Sequence, residues 1–369
     1  RVRANSELSV YKGWVLALTG EMSLAQTYAD AAQKGLQGAA QTRRQGKAWG
    51  RLLVLHSWLA VLFDQDYGRA LTLSAGALED LGEDEPHWRV LALWAQAESQ
   101  ERTRSIPEAI VTLREALRIG KTLGSQVFVA TVEISLALAL NNWGKRHEAV
   151  AVCQQALVRY TDATGRLSPV AGLVLSRLAM LHYEANELDL ARACHDRGMA
   201  LSEQVTFEYN LAFFQGFAAP IFYAQGEVER ALAAVQQGYQ MAAQTGLVDA
   251  EWFLTREAVL RLQEGDLPFV ARWAERVGLS DEDALEYLRV EQYLLYARLL
   301  LARKQYAELR RWLARLERFT REHGLNRWLL SVYLLQALVA DGLRSPEGIR
   351  DRMLRAVEFA APENYVILL

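Results

Sequence analysis

The sequence predicts an all-α fold, a right-handed superhelix of about eight to nine helical hairpins of about 40 residues each, and three ladders of residues in one register predict it. The first ladder runs Ala25, Ala70, Ala109, Ala149, Ala191, Ala231, Val270, Leu309 and Ile349, at intervals of 45, 39, 40, 42, 40, 39, 39 and 40. Each rung falls five residues after a turn-like break such as Gly144, Asn186, Gly226 or Gly265. The second ladder, Ala97, Ala137, Ala179, Ala219, Ala258, Ala297 and Ala337, stands seven residues before its breaks. The third, Ala32, Ala77, Ala116, Ala156, Gly198, Gly238 and Ala356, follows seven residues behind the first. Small side chains at fixed points allow two helix backbones to approach, because larger groups hold the axes beyond the roughly 8–10 Å of tight packing. A hairpin of this size cannot bury its apolar face alone, so hairpins stack and wind around a concave inner surface.

In chain order the elements read as a helix over 22–35, then hairpins pairing 48–63 with 67–81, 88–101 with 107–123, 128–142 with 146–161, and 170–185 with 188–204. They continue as 209–224 with 228–245, 249–264 with 268–277, 287–302 with 306–322, and 328–341 with 346–360. Pro107 and Pro346 mark starts of second helices, where a missing N–H costs nothing and Ser105 or Ser345 can cap. The helix over 268–277 is short because Leu279-Ser-Asp-Glu-Asp283 interrupts it, so that hairpin is the irregular one. Pro220, four residues after Gly216, lies inside a first helix, where it either kinks the helix and widens the groove or is a small irregularity without function. Strand-like runs of Val, Ile and Thr with period-two alternation are absent.

Composition restricts the function classes. With 51% hydrophobic and 23% charged residues, the 369-residue chain can bury a continuous core. The period crosses the middle without a Pro-, Gly- or Ser-rich linker, which predicts one domain over 1–369. Arg1 in place of Met and a repeat already running by residue 25 point to a piece excised from a larger protein. The longest apolar stretches fall short of the roughly 18–20 residues that cross a bilayer, and no secretion signal is present, so a soluble, cytoplasmic protein is expected. The two cysteines, Cys153 and Cys194, read as reduced core thiols.

Signatures of catalysis are missing. The chain has no P-loop, no dinucleotide-binding G-x-G-x-x-G, no H-E-x-x-H and no G-x-S-x-G. His147-Glu148 and Cys194-His195 lack a third partner at ligand spacing, so no catalytic residue, no metal and no cofactor are expected in this fragment. The net charge of −3 and the mixed signs around Arg303 to Arg321, with Glu308, Glu317 and Glu322 among them, read as a solvated face and argue against direct nucleic-acid binding.

Three segments carry a narrower signal. The first runs from Ser168-Pro-Val-Ala-Gly through Leu-Ala-Met-Leu-His-Tyr-Glu-Ala-Asn-Glu-Leu-Asp-Leu to Ala191; the second is Gly265-Asp-Leu-Pro-Phe-Val-Ala-Arg-Trp-Ala-Glu-Arg-Val-Gly-Leu-Ser-Asp-Glu-Asp283; the third is Ala360-Ala-Pro-Glu-Asn-Tyr-Val366. In this order they resemble the central tetratricopeptide-like helical domain of the MalT-type, LuxR-related large ATP-binding (STAND) transcription activators. Asn364 stands where that family often has Gly, and Ile367-Leu-Leu369 departs from its usual exit. The resemblance implies a sensor domain whose groove receives a small-molecule inducer or a regulatory protein, controlling nucleotide-dependent self-association of the whole protein. ATP and DNA are then expected on other domains, since neither a P-loop nor a DNA-binding helix is present.

Counting outward from the second ladder places Tyr183, Glu184, Phe213, Tyr223, Trp252, Thr255, Glu291 and Arg298 on the open side of the first helices, and Arg256 joins them as a candidate ligand-binding residue. Aromatic rings beside charged groups suit a carbohydrate or a small organic acid, the ring stacking and the charge fixing hydroxyls or carboxylates. Core packing of the same aromatics, and pairing of Arg298 with Glu291, are the structural alternatives. A tetratricopeptide-like protein- or peptide-binding scaffold unrelated to transcription is the alternative function; it calls for a row of Asn, Lys and Arg on successive first helices, of which Asn141, Arg177, Arg256 and Arg298 supply a partial one.

Overall fold

The computed structural model describes residues 5–39, 46–103, 105–204, 208–245, 250–279 and 284–366, and among them it is an all-α helical repeat of eighteen α-helices. A single antiparallel bridge joins Thr161 and Leu167, and no strand occurs in the described residues. Residues 1–139 and 140–369 form two compact units. The first holds α1 (Ser6–Leu18) with α2 (Met22–Ala39), α3 (Gly46–Leu59) with α4 (Tyr67–Asp80), and α5 (Pro86–Thr103) with α6 (Ile106–Gly120); α7 (Gln126–Asn142) carries the chain onward. The second holds α8 (Arg146–Arg159), α9 (Ala171–Glu184) with α10 (Leu188–Ser202), α11 (Glu208–Ala224) with α12 (Val228–Thr245), and α13 (Ala250–Gln263) with α14 (Leu267–Val277). It ends with α15 (Val290–Ala302) paired to α16 (Tyr306–Glu322) and α17 (Asn326–Gly342) paired to α18 (Pro346–Ala360).

Eight of the breaks between paired helices share one local device. Gly20, Gln65, Gly144, Asn186, Gly226, Gly265, Lys304 and Arg344 all have φ between 52° and 86°, the left-handed conformation that ends a helix at its C′ position. The next N–H then reaches back to close the last turn, as Lys145 does to the Leu140 carbonyl (2.8 Å) and Asp266 to that of Arg261 (2.8 Å). Glycine adopts this conformation freely, and Lys304 and Arg344 show that the geometry persists where a side chain makes it costlier. Because the reversal is local, the ladders keep their register. Eight rungs of the first ladder, Ala25 through Leu309, are fully buried; Ile349, in the last helix, is partly exposed. The second ladder is buried throughout, and so is the third.

Several local details depart from the sequence reading. Helix α1 was not anticipated; it buries Val10, Trp14 and Leu16, and Asn5 caps it through the Leu8 N–H. Helix α3 ends in a π-helical turn over Ala60–Asp64. A 3₁₀ turn over Tyr287–Arg289 precedes α15, which therefore begins at Val290. Ser105 caps α6 through the Glu108 N–H, whereas Ser345 makes no side-chain cap bond at α18. Residues 280–283 of the expected interruption lie outside those described, but α14 is the eleven-residue helix that the interruption implies. At the chain's end Asn364 has φ 53°, a conformation in which Gly is at ease and Asn is tolerated.

The first unit is filled by tryptophan. Trp14 meets Trp58 edge-on at 4.9 Å and Trp58 lies 4.3 Å from Trp94, while the Trp58 and Trp94 indole N–H groups donate to the Leu91 carbonyl (3.1 Å) and the Ser135 hydroxyl (2.9 Å). His56 is buried in the same unit, and neither ring nitrogen has a partner among the described residues. Burial holds its pKa below the ordinary value, with Arg69 adding to the effect and Asp30 and Asp64 opposing it.

Two outcomes follow. Ala179→Leu or Ala219→Leu forces methylenes into a filled helix contact and is expected to cost about 1–3 kcal/mol in urea denaturation; an unchanged midpoint in both would show that the ladder is not a packing seam. His56 binds protons more readily unfolded than folded. The stability that its burial lends is therefore complete above its ordinary pKa of about 6.5 and lost as pH falls through the lower folded value. Melts between about pH 7 and pH 5 should fall more steeply in the wild type than in His56→Leu, and parallel slopes would remove His56 from this role.

Candidate functional site

In the second unit the odd-numbered helices pack side by side, α9 on α11, α11 on α13, α13 on α15 and α15 on α17, while each even-numbered helix packs chiefly on its hairpin neighbours. The face with the closer helix spacing is the inner one. The first helices of the hairpins therefore line the inside of the unit, as the ladder geometry requires.

This unit closes upon itself. Glu184, at the last turn of α9, is buried, and both oxygens of its carboxylate are taken: Asn141 Nδ2 donates to one (2.9 Å) and Arg327 Nε, from the start of α17, to the other (2.6 Å). The Glu184 carbonyl accepts the Val366 N–H (2.9 Å), and the Tyr365 hydroxyl donates to Asn141 Oδ1 (3.0 Å). Arg146 donates to the Glu363 carbonyl (2.8 Å) and the Leu181 carbonyl (3.2 Å), while the Glu363 carboxylate accepts the His147 N–H (2.9 Å) at the start of α8. That last bond satisfies one of the orphan N–H groups of a helix whose own N-cap residue, Lys145, makes no side-chain cap bond. Asn326 Nδ2 completes the seam on the Trp143 carbonyl (3.0 Å). Asn141, Arg146 and Glu184 are all buried polar groups, and the partners that satisfy them come largely from the far end of the same unit.

Inside the closed stack, three helices bring Tyr183, Arg256, Glu291 and Arg298 into one electrostatic neighbourhood. Arg256 pairs with Glu291 at 3.4 Å and lies over the Trp252 ring, 4.3 Å from its centroid. Phe213 meets Trp252 edge-on at 5.5 Å, and Phe217 does so at 5.6 Å. Arg177 stands over Phe217 at 5.4 Å. Burial raises the pKa of the Tyr183 hydroxyl, with Glu184 reinforcing the shift while Arg256, Arg327 and Arg298 oppose it, so this hydroxyl is a proton donor at neutral pH. Arg298 is reached by water, yet the protein around it desolvates its guanidinium and lowers its pKa against the attraction of Glu291. Both fit a side chain on the inner face of the unit.

Of the residues singled out from the sequence, Tyr183, Phe213, Trp252, Arg256, Glu291 and Arg298 thus assemble on this face. Glu184 adjoins it, but its carboxylate is committed to the closure. Tyr223 sits apart, its hydroxyl donating to Glu264 (2.8 Å). Trp252 is half-buried and packs against the core of α11, α12 and α13, so it is an anchored wall of the groove and not a free platform. Gly216 explains that seat, because a Cβ there would collide with the Trp252 ring. Pro220 is accommodated within α11, which runs continuously from Glu208 to Ala224. Phe217 and Arg327 were not singled out from the sequence. Phe217 lies four residues after Phe213, the helical spacing that places both on one face, whereas nothing local marks Arg327.

Elsewhere, Cys153 and Cys194 are free, and burial pushes the Cys153 thiol up to about 12. Among the described residues no group of three or more His, Cys, Asp or Glu is placed to hold a metal ion, and no helix is long and apolar enough to cross a membrane.

The family described as the MalT-like TPR region matches residues 50–369. No curated protein sequence matches the chain. Among solved structures, a Rap protein complexed with competence and sporulation factor is similar with a TM-score of 0.71 at 11% identity, over 97% of this chain and 98% of that one. The apo form of the quorum sensor NprR from B. thuringiensis gives 0.54 at 15% identity, over 95% and 97%. The Rap conjugation gene regulator of plasmid pLS20 in complex with the Phr* peptide gives 0.54 at 11% identity, over 97% and 96%. At such identities the likeness is one of fold.

Removing the carboxylate at the seam tests how far the unit depends on it. Glu184→Ala strands a largely buried guanidinium and an amide, and is expected to cost about 3–5 kcal/mol, while Tyr365→Phe, which deletes one hydroxyl, is expected to cost about 1 kcal/mol. Urea denaturation of the two variants checks the ranking. Equal, small losses would mean that the closure contributes little.

Proposed function

This chain belongs to the MalT-like TPR family, and we propose that it is a sensor: the regulatory domain of a bacterial, cytoplasmic transcription activator, receiving an inducer on the inner face of its second unit. The observation that carries this reading is the convergence of Tyr183, Arg256, Glu291 and Arg298 from α9, α13 and α15 beside the wall formed by Phe213, Phe217 and Trp252. A solenoid core is satisfied by Leu and Ala. Guanidinium groups laid on aromatic rings along its inner side offer stacking and directed hydrogen bonds to something that enters. We assign no catalytic step, metal or resident cofactor to this chain; in the proposal, nucleotide and DNA are bound by other domains of the full-length protein.

A bound inducer acts through the closure. Glu184 joins the seam with its carboxylate and follows Tyr183 of the inner face directly in the chain, so a ligand that prefers one curvature of the stack biases the arrangement of the seam. Self-association of the full-length protein is then favoured by as much as the ligand's differential affinity for the two arrangements. A regulatory protein on the same face would act in the same way. A peptide is the second reading, since two of the similar structures hold a peptide or a competence factor. The row of polar residues that a peptide needs is shortened here, because Asn141 is spent on Glu184 and Tyr365.

The test is a thermal-shift screen of the chain against sugars, organic acids and short peptides, followed by titration of any hit into Tyr183→Phe, Arg256→Gln and Trp252→Phe. A ligand at about 100 times its Kd adds about 2.7 kcal/mol to stability. The expected result is a hit whose affinity falls about tenfold or more in at least one of these variants. Binding that none of the three disturbs would place the ligand elsewhere and end the inner-face reading.

A further inference from the structure

The charges of the inner face do not balance, and the imbalance has one address. Glu184 is neutralised by Arg327, and Glu291 by Arg256. That leaves Arg298: among the described residues no hydrogen bond or ion pair engages its guanidinium, although Glu291 is near enough to attract it. Arg256, too, is incompletely used, since its buried Nε has no partner among the described residues. Beyond the pairs Arg327–Glu184 and Arg256–Glu291, Arg298 is thus a cation of this region that no carboxylate pairs among the described residues. A guanidinium held in a partly desolvated concavity without a counter-charge is costly to the empty protein, and the cost is relieved by an anion that enters.

We infer that the ligand of this face is an anion, a carboxylate or phosphate group received by Arg298 and carried on an apolar or aromatic body that lies along Phe213, Phe217 and Trp252. The inference rests on the inner-face reading and narrows it, choosing an acid over a neutral carbohydrate. A sugar hydroxyl is served by groups that both donate and accept, whereas Arg298, the Arg256 Nε and the protonated Tyr183 hydroxyl present donors. The planar fork of a guanidinium matches two oxygens of one carboxylate or phosphate, which an ammonium does not. The three rings supply the remaining contact area without any hydrogen-bond demand.

The experiment compares matched probes. The chain is titrated with N-benzoylglycine, with its uncharged amide N-benzoylglycinamide, and with phenyl phosphate and inorganic phosphate, by calorimetry and tryptophan fluorescence, in the wild type, Arg298→Gln and Arg298→Lys. The expected result is that at least one aromatic anion binds about tenfold or more tightly than the amide, and that Arg298→Gln brings the two within about twofold while Arg298→Lys keeps part of the preference. N-benzoylglycine and phenyl phosphate separate a carboxylate from a phosphate ligand, and inorganic phosphate shows what the anion binds without the body. Arg298→Gln breaks no hydrogen bond or ion pair among the described residues and should melt no lower than the wild type; should it fail to fold, the preference in Arg298→Lys and its decline with rising salt take its place. Equal binding of amide and anions, a preference that survives Arg298→Gln, or no binding of any probe at millimolar concentration overturns the inference. Equal binding that is lost in Arg256→Gln or Tyr183→Phe leaves the inner-face reading standing without the anion. Anion binding that no inner-face substitution alters brings both down.

Discussion

The buried carboxylate of Glu184 is the constraint on which the second unit turns. Burying a carboxylate costs several kcal/mol unless it is paired and hydrogen-bonded, and here its two oxygens are satisfied by side chains 43 residues before it and 143 residues after it. The end of α7, the end of α9, the start of α17 and the segment around Tyr365 must meet for that to happen. None of these groups has a sufficient partner within its own hairpin. The polar seam thereby selects one curvature for a stack whose apolar contacts alone would accept a range of them.

The closure and the candidate site differ electrostatically along the same helices. At the seam Glu184 has Arg327 as its counter-charge, and the buried Arg146 donates to the Glu363 and Leu181 carbonyls. On the inner face Arg256 pairs with Glu291 and is supported by the Trp252 ring. Stacking of this kind holds a cation without neutralising it. Gly216 serves the arrangement from behind, since its missing Cβ is what lets Trp252 sit deep enough to be a fixed wall.

The site was legible from the sequence only as a set of faces. Counting from Ala179, Ala258 and Ala297 placed Tyr183, Trp252, Glu291 and Arg298 on one side of their helices, because a residue's position on a helix depends on period alone. It said nothing of distance between helices. Tyr223, chosen by the same count, lies at the end of α11 and turns to Glu264, while Glu184, one residue beyond Tyr183, is drawn into the seam. Arg327 opens α17 and meets Glu184 only because the stack closes.

By itself the sequence determined what local geometry and repetition control. The period, the left-handed breaks at Gly144, Asn186, Gly226 and Gly265, and the buried ladders all follow from interactions within a hairpin or with its nearest neighbour. Helix α1 escaped that reading, since it precedes the first rung and its core is set by Trp14, not by a ladder alanine. The motifs that mark the family, Tyr183-Glu184 and Glu363-Asn-Tyr-Val366, were visible as residues but not as partners. Tertiary structure alone decided that they meet, Val366 on the Glu184 carbonyl and Tyr365 on Asn141 across 224 positions, because curvature is the sum of small rotations between successive hairpins and no single period contains that sum.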